Sequence, residues 1–170
     1  MTVPTVDQVR DVLATVTDPE IPVITIEDLG ILRGVEVTGS TVVVKITPTY
    51  SGCPAMAEIT ADVRVALAAR DWHDVEVRTV LSPAWTTDWM TETGRRRLRE
   101  FGIAPPMTRG AGPVPIQLTL AADRVRPPEV ACPQCRSTDT EELSRFASTS
   151  CKALWRCRSC REPFDYFKTH

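Results

Sequence analysis

The apolar positions near the start of the chain have the spacing of one face of a helix. A short amphipathic helix is predicted after Thr5, because Thr5 and Gln8 have the separation of a capping box. It should end before residues 17–22, where two prolines enclose an acidic residue and favour a rigid turn. The predicted buried face consists of Val6, Val9, Val12, Leu13 and Val16.

Two segments rich in β-branched residues then predict a β-hairpin. They cover residues 31–37 and 41–47, and a short turn with Gly39 joins them. The second segment is nearly continuously apolar, which is typical of a central strand covered on both faces. A helix that starts at about Pro54 and ends at about Ala69 follows, and then a strand over residues 74–81. Because a helix intervenes, the third strand should run parallel to the second.

A third helix is predicted from a cap at Thr87 or Asp88 to about Phe101, with Gly102 ending it. It carries four arginines, which we interpret as a solvated face, with a partner-docking patch as the alternative. Together these elements indicate an α+β domain over residues 1–103: a small mixed β-sheet packed by three helices. The arginines are Arg95, Arg96, Arg97 and Arg99.

The chain after this domain changes character twice. Residues 104–115 contain four prolines and two glycines, which is typical of a linker. We assign residues 104–129 to this linker, with one short strand at residues 116–120. Residues 130–170 form a second, cysteine-rich module of zinc-ribbon type.

Four cysteines of the second module form two Cys-x-x-Cys pairs: Cys132, Cys135, Cys157 and Cys160. Two such knuckles close a tetrahedral thiolate shell, which predicts structural zinc. An iron–sulfur cluster, another metal or redox thiols are the alternatives. Cys151 lies outside the pairs and is predicted to be a packed thiol; a ligand replacing one of the four, or a second exposed thiol, are the other interpretations. The module's core or docking residues are predicted to be Trp155, Phe164, Tyr166 and Phe167.

Composition restricts the class of protein. The chain has 170 residues and a net charge of −2; residues 1–123 carry 11 basic and 16 acidic side chains, and residues 124–170 carry 9 and 6. This is too little positive charge for a nucleic-acid binder. Because no signal peptide or membrane span is recognisable, we expect a cytoplasmic protein. In that reducing compartment cysteines serve as metal ligands or reactive thiols more often than as disulfides.

Cys53 is the remaining cysteine, chemically alone in its own region, and it is predicted to lie between the second strand and the second helix. The positive end of a helix dipole favours a thiolate there, and Gly52 lets the backbone turn tightly. Asp18 and Glu20 add two carboxylates on the rigid turn. A packed thiol is the alternative to a reactive or metal-binding one.

Several separated motifs of residues 5–103 resemble the MIP18-type iron–sulfur assembly family. This resemblance implies a role in maturation of iron–sulfur proteins, with Cys53 as the functional residue and Asp18 and Glu20 as characteristic carboxylates that could hold iron or a cluster transiently. The motifs are residues 18–23, residues 28–31, residues 47–54 with Gly-Cys-Pro, and residues 82–86 with the following Met90.

With the four-cysteine tail included, nearly the whole chain resembles the D-subunit family of bacterial phenylacetyl-CoA epoxidases. This resemblance implies a non-catalytic accessory protein whose partners are a diiron oxygenase and an iron–sulfur flavin reductase. Consistently, the sequence has no Glu-x-x-His pair for diiron and no dinucleotide glycine fingerprint.

Two alternatives remain open at this level. One is a purely structural adaptor of the oxygenase, without cluster handling. The other is a thiol enzyme using Cys53 and His73, which a straight helix would hold about 20 Å apart. A homodimer could supply a second thiol to complete the Cys53 site.

Overall fold

The computed structural model describes residues 3–50, 52–107 and 129–169. Its N-terminal part confirms the predicted α+β architecture, with helices packed on a three-stranded mixed sheet. The helices and the strands of this part are α1 (Val6–Leu13), β1 (Leu32–Thr38), β2 (Thr41–Ile46), α2 (Ala55–Ala68), β3 (Val75–Thr79), a 3-10 turn (Thr87–Trp89), α3 (Glu92–Glu100) and β4 (Ile103–Ala104).

The three-stranded sheet has the order β1-β2-β3. β1 and β2 pair antiparallel, with Thr38 opposite Thr41 at the hairpin, whereas β2 and β3 pair parallel. The predictions of the hairpin and of the parallel crossover are both confirmed. β2 is central because its run of Val42, Val43 and Val44 is buried on both faces.

α1 begins with the predicted capping box, in which Thr5 and Gln8 satisfy each other's backbone N–H groups. The apolar faces of α1 and α2 meet in the core against the sheet. The largest side chains buried there are Leu13, Ile21, Ile24, Ile26, Leu29, Ile31, Ile46, Ile59, Leu67 and Leu98.

The third helix differs from the prediction at its start. Thr87 belongs to a separate 3-10 turn, and the α-helix begins only after Thr91, whose hydroxyl oxygen accepts from the backbone N–H of Gly94 at 2.9 Å. Thr86, Thr87 and Thr91 lie close together in the sequence, and each has a hydroxyl group that can cap a helix. The turn between them decides that Thr91 caps α3. Gly102 follows the helix with a φ of +92°, as expected of a terminating glycine.

The prediction that the arginines of α3 form a solvated face is wrong for two of them. Arg95 is only 6% exposed, and its guanidinium donates to the carbonyl oxygens of Pro106 and Thr87 at 2.7 and 2.6 Å. Arg97 pairs with the buried carboxylate of Asp28. Two of the four arginines of α3 therefore bind neighbouring loops, and only the other two can form a solvated face.

The C-terminal module is a four-stranded sheet of order β4-β7-β6-β5. β4 comes from the end of the N-terminal part and pairs parallel with β7, so the first region contributes an edge strand to the second. The strands of the module itself are β5 (Thr140–Ser144), β6 (Lys152–Cys157) and β7 (Pro163–Phe167).

Of the four aromatic residues predicted to form the module's core or to dock it on the first region, three form the core and one docks. Trp155 and Tyr166 pack edge to face at 5.8 Å inside the module, together with Phe164. Phe167, 1% exposed, instead enters the N-terminal core, where its ring lies 6.1 Å from that of Trp85. One aromatic side chain therefore anchors the module to the first region.

Most of the predicted linker, including the proposed strand at residues 116–120, lies outside the described residues. The boundaries of the two domains therefore stay a prediction. Among the helices that the structure describes, none is long and apolar enough to cross a membrane.

Candidate metal centre and thiol site

Four cysteine sulfurs converge at one end of the C-terminal module. They belong to Cys132, Cys135, Cys157 and Cys160 and all lie within 4.8 Å of one another. The Cys132 and Cys160 sulfurs are 3.7 Å apart, and those of Cys135 and Cys157 are 3.5 Å apart. A tetrahedral zinc ion with Zn–S bonds of about 2.3 Å has ligand sulfurs about 3.8 Å apart. The residues present therefore fit the predicted metal site.

The loop backbone already favours ionised sulfur in this cluster. The backbone N–H of Cys160 points at the Cys157 sulfur at 3.5 Å and is the largest of several causes that lower the pKa of that thiol to about 6. The pKa of the Cys160 thiol is raised in turn, by burial and by the three neighbouring sulfurs. Because thiolates are the form that binds metal, such N–H donors support the ligand set. A metal held by four protein thiolates has no open position for a substrate or a catalytic water.

Cys53 lies where the sequence predicts it, between β2 and α2. Gly52 adopts a φ of +82°, and Pro54 forms the N-cap of α2, so that Cys53 stands immediately before the cap. Its side chain is half-buried against the N-terminal core. The thiol is thus placed at the start of a 14-residue helix and remains partly accessible.

Asp18 and Glu20 occupy the predicted turn, but they differ in what their carboxylates do. One oxygen of Asp18 accepts the backbone N–H groups of Glu20 and Ile21 at 2.8 and 2.9 Å, so this buried carboxylate shapes the turn. Burial raises its pKa in spite of these bonds. The pKa of Glu20 is raised as well, by burial and by the neighbouring charge of Asp18.

Cys151 lies apart from the four-cysteine cluster. It is 7% exposed and belongs to the hydrophobic core of the N-terminal region, and its sulfur is 3.0 Å from the Thr149 hydroxyl. Burial raises the pKa of its thiol, and the charges of Glu20 and Asp18 act in the same direction. The next residue, Lys152, is 5% exposed and pairs with Asp165 at 3.4 Å.

Tyr50 lies between the Cys53 loop and the segment that precedes Cys151. The pKa of its hydroxyl is raised by burial and by the charges of both Cys53 and Cys151, whereas the Ser150 side chain opposes the shift. A cleft of about 240 Å³ opens beside it, lined by Glu20, Tyr50 and Pro54 on one side and by residues 146–150 on the other. The segment before Cys151 therefore faces the Cys53 loop across a small cleft.

The sequence leaves Cys53 as the lone cysteine of its region, and the structure adds Cys151 to the core against which Cys53 packs. Cys151 is nearly a hundred residues away in the chain but joins the same core. The only sequence signal is that Cys151 stands outside the two Cys-x-x-Cys pairs. Nothing in the local pattern indicates where that extra thiol is placed.

The structure does not bring together Cys53 and His73, the pair on which the alternative of a thiol enzyme depends. Cys53 precedes α2, and His73 follows it in an exposed turn. Fourteen helical residues span about 21 Å, so the imidazole cannot act as a base for this thiol within one chain.

The two regions match two known families. Residues 6–79 match the family described as iron–sulfur cluster assembly protein, and residues 120–168 match the PaaD zinc beta ribbon domain. The chain is 49% identical over 165 residues, 97% of this chain and 93% of the relative, to a protein of Escherichia coli (strain K12) named as the D subunit of a 1,2-phenylacetyl-CoA epoxidase. The chain belongs to the phenylacetyl-CoA epoxidase D-subunit family.

Two further relatives of this family member share only its N-terminal region. An Fe-S protein maturation auxiliary factor of Porphyromonas gingivalis (strain ATCC BAA-308 / W83) is 36% identical over 90 residues, 52% of this chain and 85% of the relative. The crystal structure of a DUF59 domain from Bacillus anthracis is 27% identical, with a TM-score of 0.51, and covers 55% of this chain and 90% of the domain. The resemblance predicted from the motifs is confirmed.

Proposed function

We propose that this protein is a cytoplasmic, non-catalytic accessory subunit of a phenylacetyl-CoA epoxidase system in aerobic phenylacetate degradation. It aids the loading of iron or an iron–sulfur cluster into its partners, a diiron oxygenase and an iron–sulfur reductase. The observation that carries the proposal is the half-buried Cys53 thiol at the start of α2, whose neighbour Pro54 lines one cleft together with Tyr50 and Glu20. The relatives named for epoxidation and for Fe–S protein maturation support it.

The thiol of Cys53 and the carboxylate of Glu20 suit the binding of an iron cargo that must later be released. Cys53 offers one thiolate and Glu20 one carboxylate, both of which bind iron. Asp18 adds negative charge and holds the turn that presents Glu20. A site with few protein ligands leaves coordination positions for an acceptor protein, whereas a closed four-ligand site would retain the metal.

The four-cysteine cluster has a different role in this proposal. Zinc bound there would hold the small C-terminal module in its fold, because a module of about 40 residues buries too little apolar surface to be stable alone. Its four thiolates complete the tetrahedron, so zinc would supply structure and no chemistry.

The test is to replace Cys53 by serine and to measure cofactor loading of the partners. With Cys53→Ser we expect iron and sulfide content of the co-expressed oxygenase and reductase to fall at least threefold, while the variant keeps its zinc and its melting temperature. Asp62→Asn, on the exposed face of α2, is the matched control and should load the partners normally. Normal loading by a folded Cys53→Ser protein would contradict the proposal.

A structural adaptor is the second candidate function, and one observation favours it. Leu143 and Phe146 expose 48% and 67% of their surface on the C-terminal module, which suits contact with another protein. In that case Phe146→Ser would abolish co-purification with the oxygenase, and Cys53→Ser would change neither association nor loading. Charge reversal of the arginine run is a poor test, since Arg95 and Arg97 hold the fold together.

A further inference from the structure

We propose that a cleft between α3 and the C-terminal module binds an organic monocarboxylate with an apolar body, and that Arg95 is the residue that recognises its carboxylate. The cleft has a volume of about 640 Å³, which is within the range of small-molecule sites. Cys53, Asp18 and Glu20 do not line it. The inference is therefore independent of the proposed iron handling.

The floor of the cleft is apolar and is built by both parts of the chain. The buried side chains of Ala104 in β4, Val130 and Tyr166 in β7 line it, and Pro106 continues its wall after β4. Small-molecule sites occur preferentially at boundaries of this kind. An apolar floor favours a ligand with an apolar body, because both lose their contact with water when the ligand binds.

Arg95 is the polar side chain of the cleft whose charge the fold leaves unbalanced. It is buried, and its guanidinium donates to two carbonyl oxygens, those of Pro106 and Thr87. These bonds use two N–H groups of the guanidinium but bring no negative charge to it. Burial of a charge without an opposite charge costs free energy, so buried charges in folded proteins are normally paired.

The neighbouring arginines of α3 differ from Arg95 in this respect. Arg97 pairs with Asp28, and Arg96 lies 3.9 Å from Glu100. In the described parts of the chain Arg95 has no carboxylate partner of this kind, although Arg96 and Arg97 are both more exposed. Because Arg95 lines the cleft, an anion bound there can supply the opposite charge.

The charges along the cleft favour an anion with a single negative charge. Arg95, Arg99 and Arg136 contribute three positive charges to the lining. Glu92 and Glu129 contribute two negative charges, so the lining side chains have a net charge of +1. A carboxylate balances this charge and can accept two parallel hydrogen bonds from a guanidinium. A phosphate dianion would instead bring excess negative charge towards the two glutamates.

The first test is a titration of the zinc-loaded full chain with phenylacetate, which combines one carboxylate with an aromatic body. For a ligand of this size we expect a Kd of about 1 mM, measured from the shifts of backbone amide signals in NMR spectra. Phenylacetamide has nearly the same shape without the charge and should bind at least tenfold more weakly. Cys53→Ser should bind phenylacetate as the wild type does, because Cys53 does not line the cleft.

Variants of α3 test which positive charges the ligand uses. Arg99→Gln removes a positive charge from the cleft and should weaken binding at least threefold. Arg96→Gln is the matched control: it removes the same charge from the same helix outside the cleft and should leave binding unchanged. Arg95→Lys keeps the charge but not the forked geometry of the guanidinium, and it should weaken binding at least tenfold.

A second kind of variant covers the case in which Arg95→Lys impairs folding. Ala131 is exposed and lines the cleft, so Ala131→Phe should fill the cleft and abolish binding while the core stays unchanged. Ala61→Phe, at an exposed position of α2, is the matched control and should bind as the wild type does. The melting temperature of each variant shows whether it is folded.

Four results would overturn the inference. The first is that the wild type does not bind phenylacetate, and the second is that phenylacetamide binds equally well. The third is that both Ala131→Phe and Arg99→Gln retain full binding, which would place the ligand elsewhere on the chain. The fourth is that inorganic phosphate displaces phenylacetate at equal concentration, which would indicate a site for oxyanions in general. None of these results affects the proposed function, which the loading of the partner proteins decides separately.

Discussion

At the scale of single residues, the turn of Asp18 and Glu20 carries a cost for stability. Asp18 is 8% exposed, and its charge lies beside the half-buried carboxylate of Glu20. Both carboxyl groups have raised pKa values, so ionising each of them costs more free energy in the folded chain than in the unfolded chain. Such destabilising charges are typical of functional sites.

Glu20→Gln should therefore stabilise the protein at pH 7. The folded pKa of Glu20 lies above its ordinary value of 4.5, so the folded state binds its proton more tightly than the unfolded state does. Stability of the wild type then falls as pH rises from 4.5 through the folded pKa, and the glutamine variant lacks this loss. Thermal unfolding from pH 7.5 down to pH 4.5 measures it.

The gain in melting temperature should be present at pH 7 and should shrink as the pH approaches 4.5. Asp62→Asn removes one exposed negative charge of α2 and serves as the control. A variant that is less stable than the wild type at pH 7 would show that Glu20 makes a net favourable interaction in the folded state.

At the scale of elements, the start of α3 depends on one side chain. The Thr91 hydroxyl accepts from the backbone N–H of Gly94 at 2.9 Å and donates to Asp28 at 2.7 Å. Asp28 in turn pairs with Arg97 further along the helix. Gly94 leaves room for this contact, because a Cβ atom there would lie 2.9 Å from the Asp28 carbonyl oxygen.

Thr91→Ala should destabilise the protein by about 2 kcal/mol, since it removes a helix cap and one partner of a buried carboxylate. Thr91→Ser keeps the hydroxyl and should lose only a few tenths of a kcal/mol. Urea unfolding of both variants provides the measurement. Equal losses for alanine and serine would mean that the methyl group, and not the cap, is what matters at this position.

At the scale of the whole molecule, the C-terminal module has its own core but also adds two residues to the N-terminal core. Phe167 is 1% exposed among residues of the N-terminal region, and Cys151 lies in the same cluster. β4 belongs in sequence to the first part and in the sheet to the second. The parts should therefore unfold together, unlike modules joined only by a linker.

Phe167→Ala should lower the free energy of unfolding by about 3–5 kcal/mol, because it leaves a cavity between the two parts. Phe101→Ala is the matched control: that ring is 52% exposed, and its loss should change stability by less than about 0.5 kcal/mol. Calorimetry should show one lowered transition for Phe167→Ala. A separate, unshifted transition of the N-terminal region would show that the shared core contributes nothing to it.

The sequence by itself determined most of the helices and strands and the four-cysteine group that can hold a metal ion. Capping boxes, β-branched runs and Cys-x-x-Cys pairs act between residues that are close in the chain, so their patterns predict α1, the hairpin, α2, β3 and the four ligands. The cap of α3 was missed, because Thr86, Thr87 and Thr91 are equivalent as residue types and only the path of the turn distinguishes them.

The tertiary structure alone decided what surrounds Cys53. The burial of Arg95 against Pro106 and the burial of Cys151 in the N-terminal core depend on how distant segments dock. Docking is set by Phe167, by Trp85 and by the pairing of β4 with β7, none of which has a periodic signature in the chain. Local patterns therefore identified Cys53 as a candidate, and only long-range packing gave that thiol its neighbours.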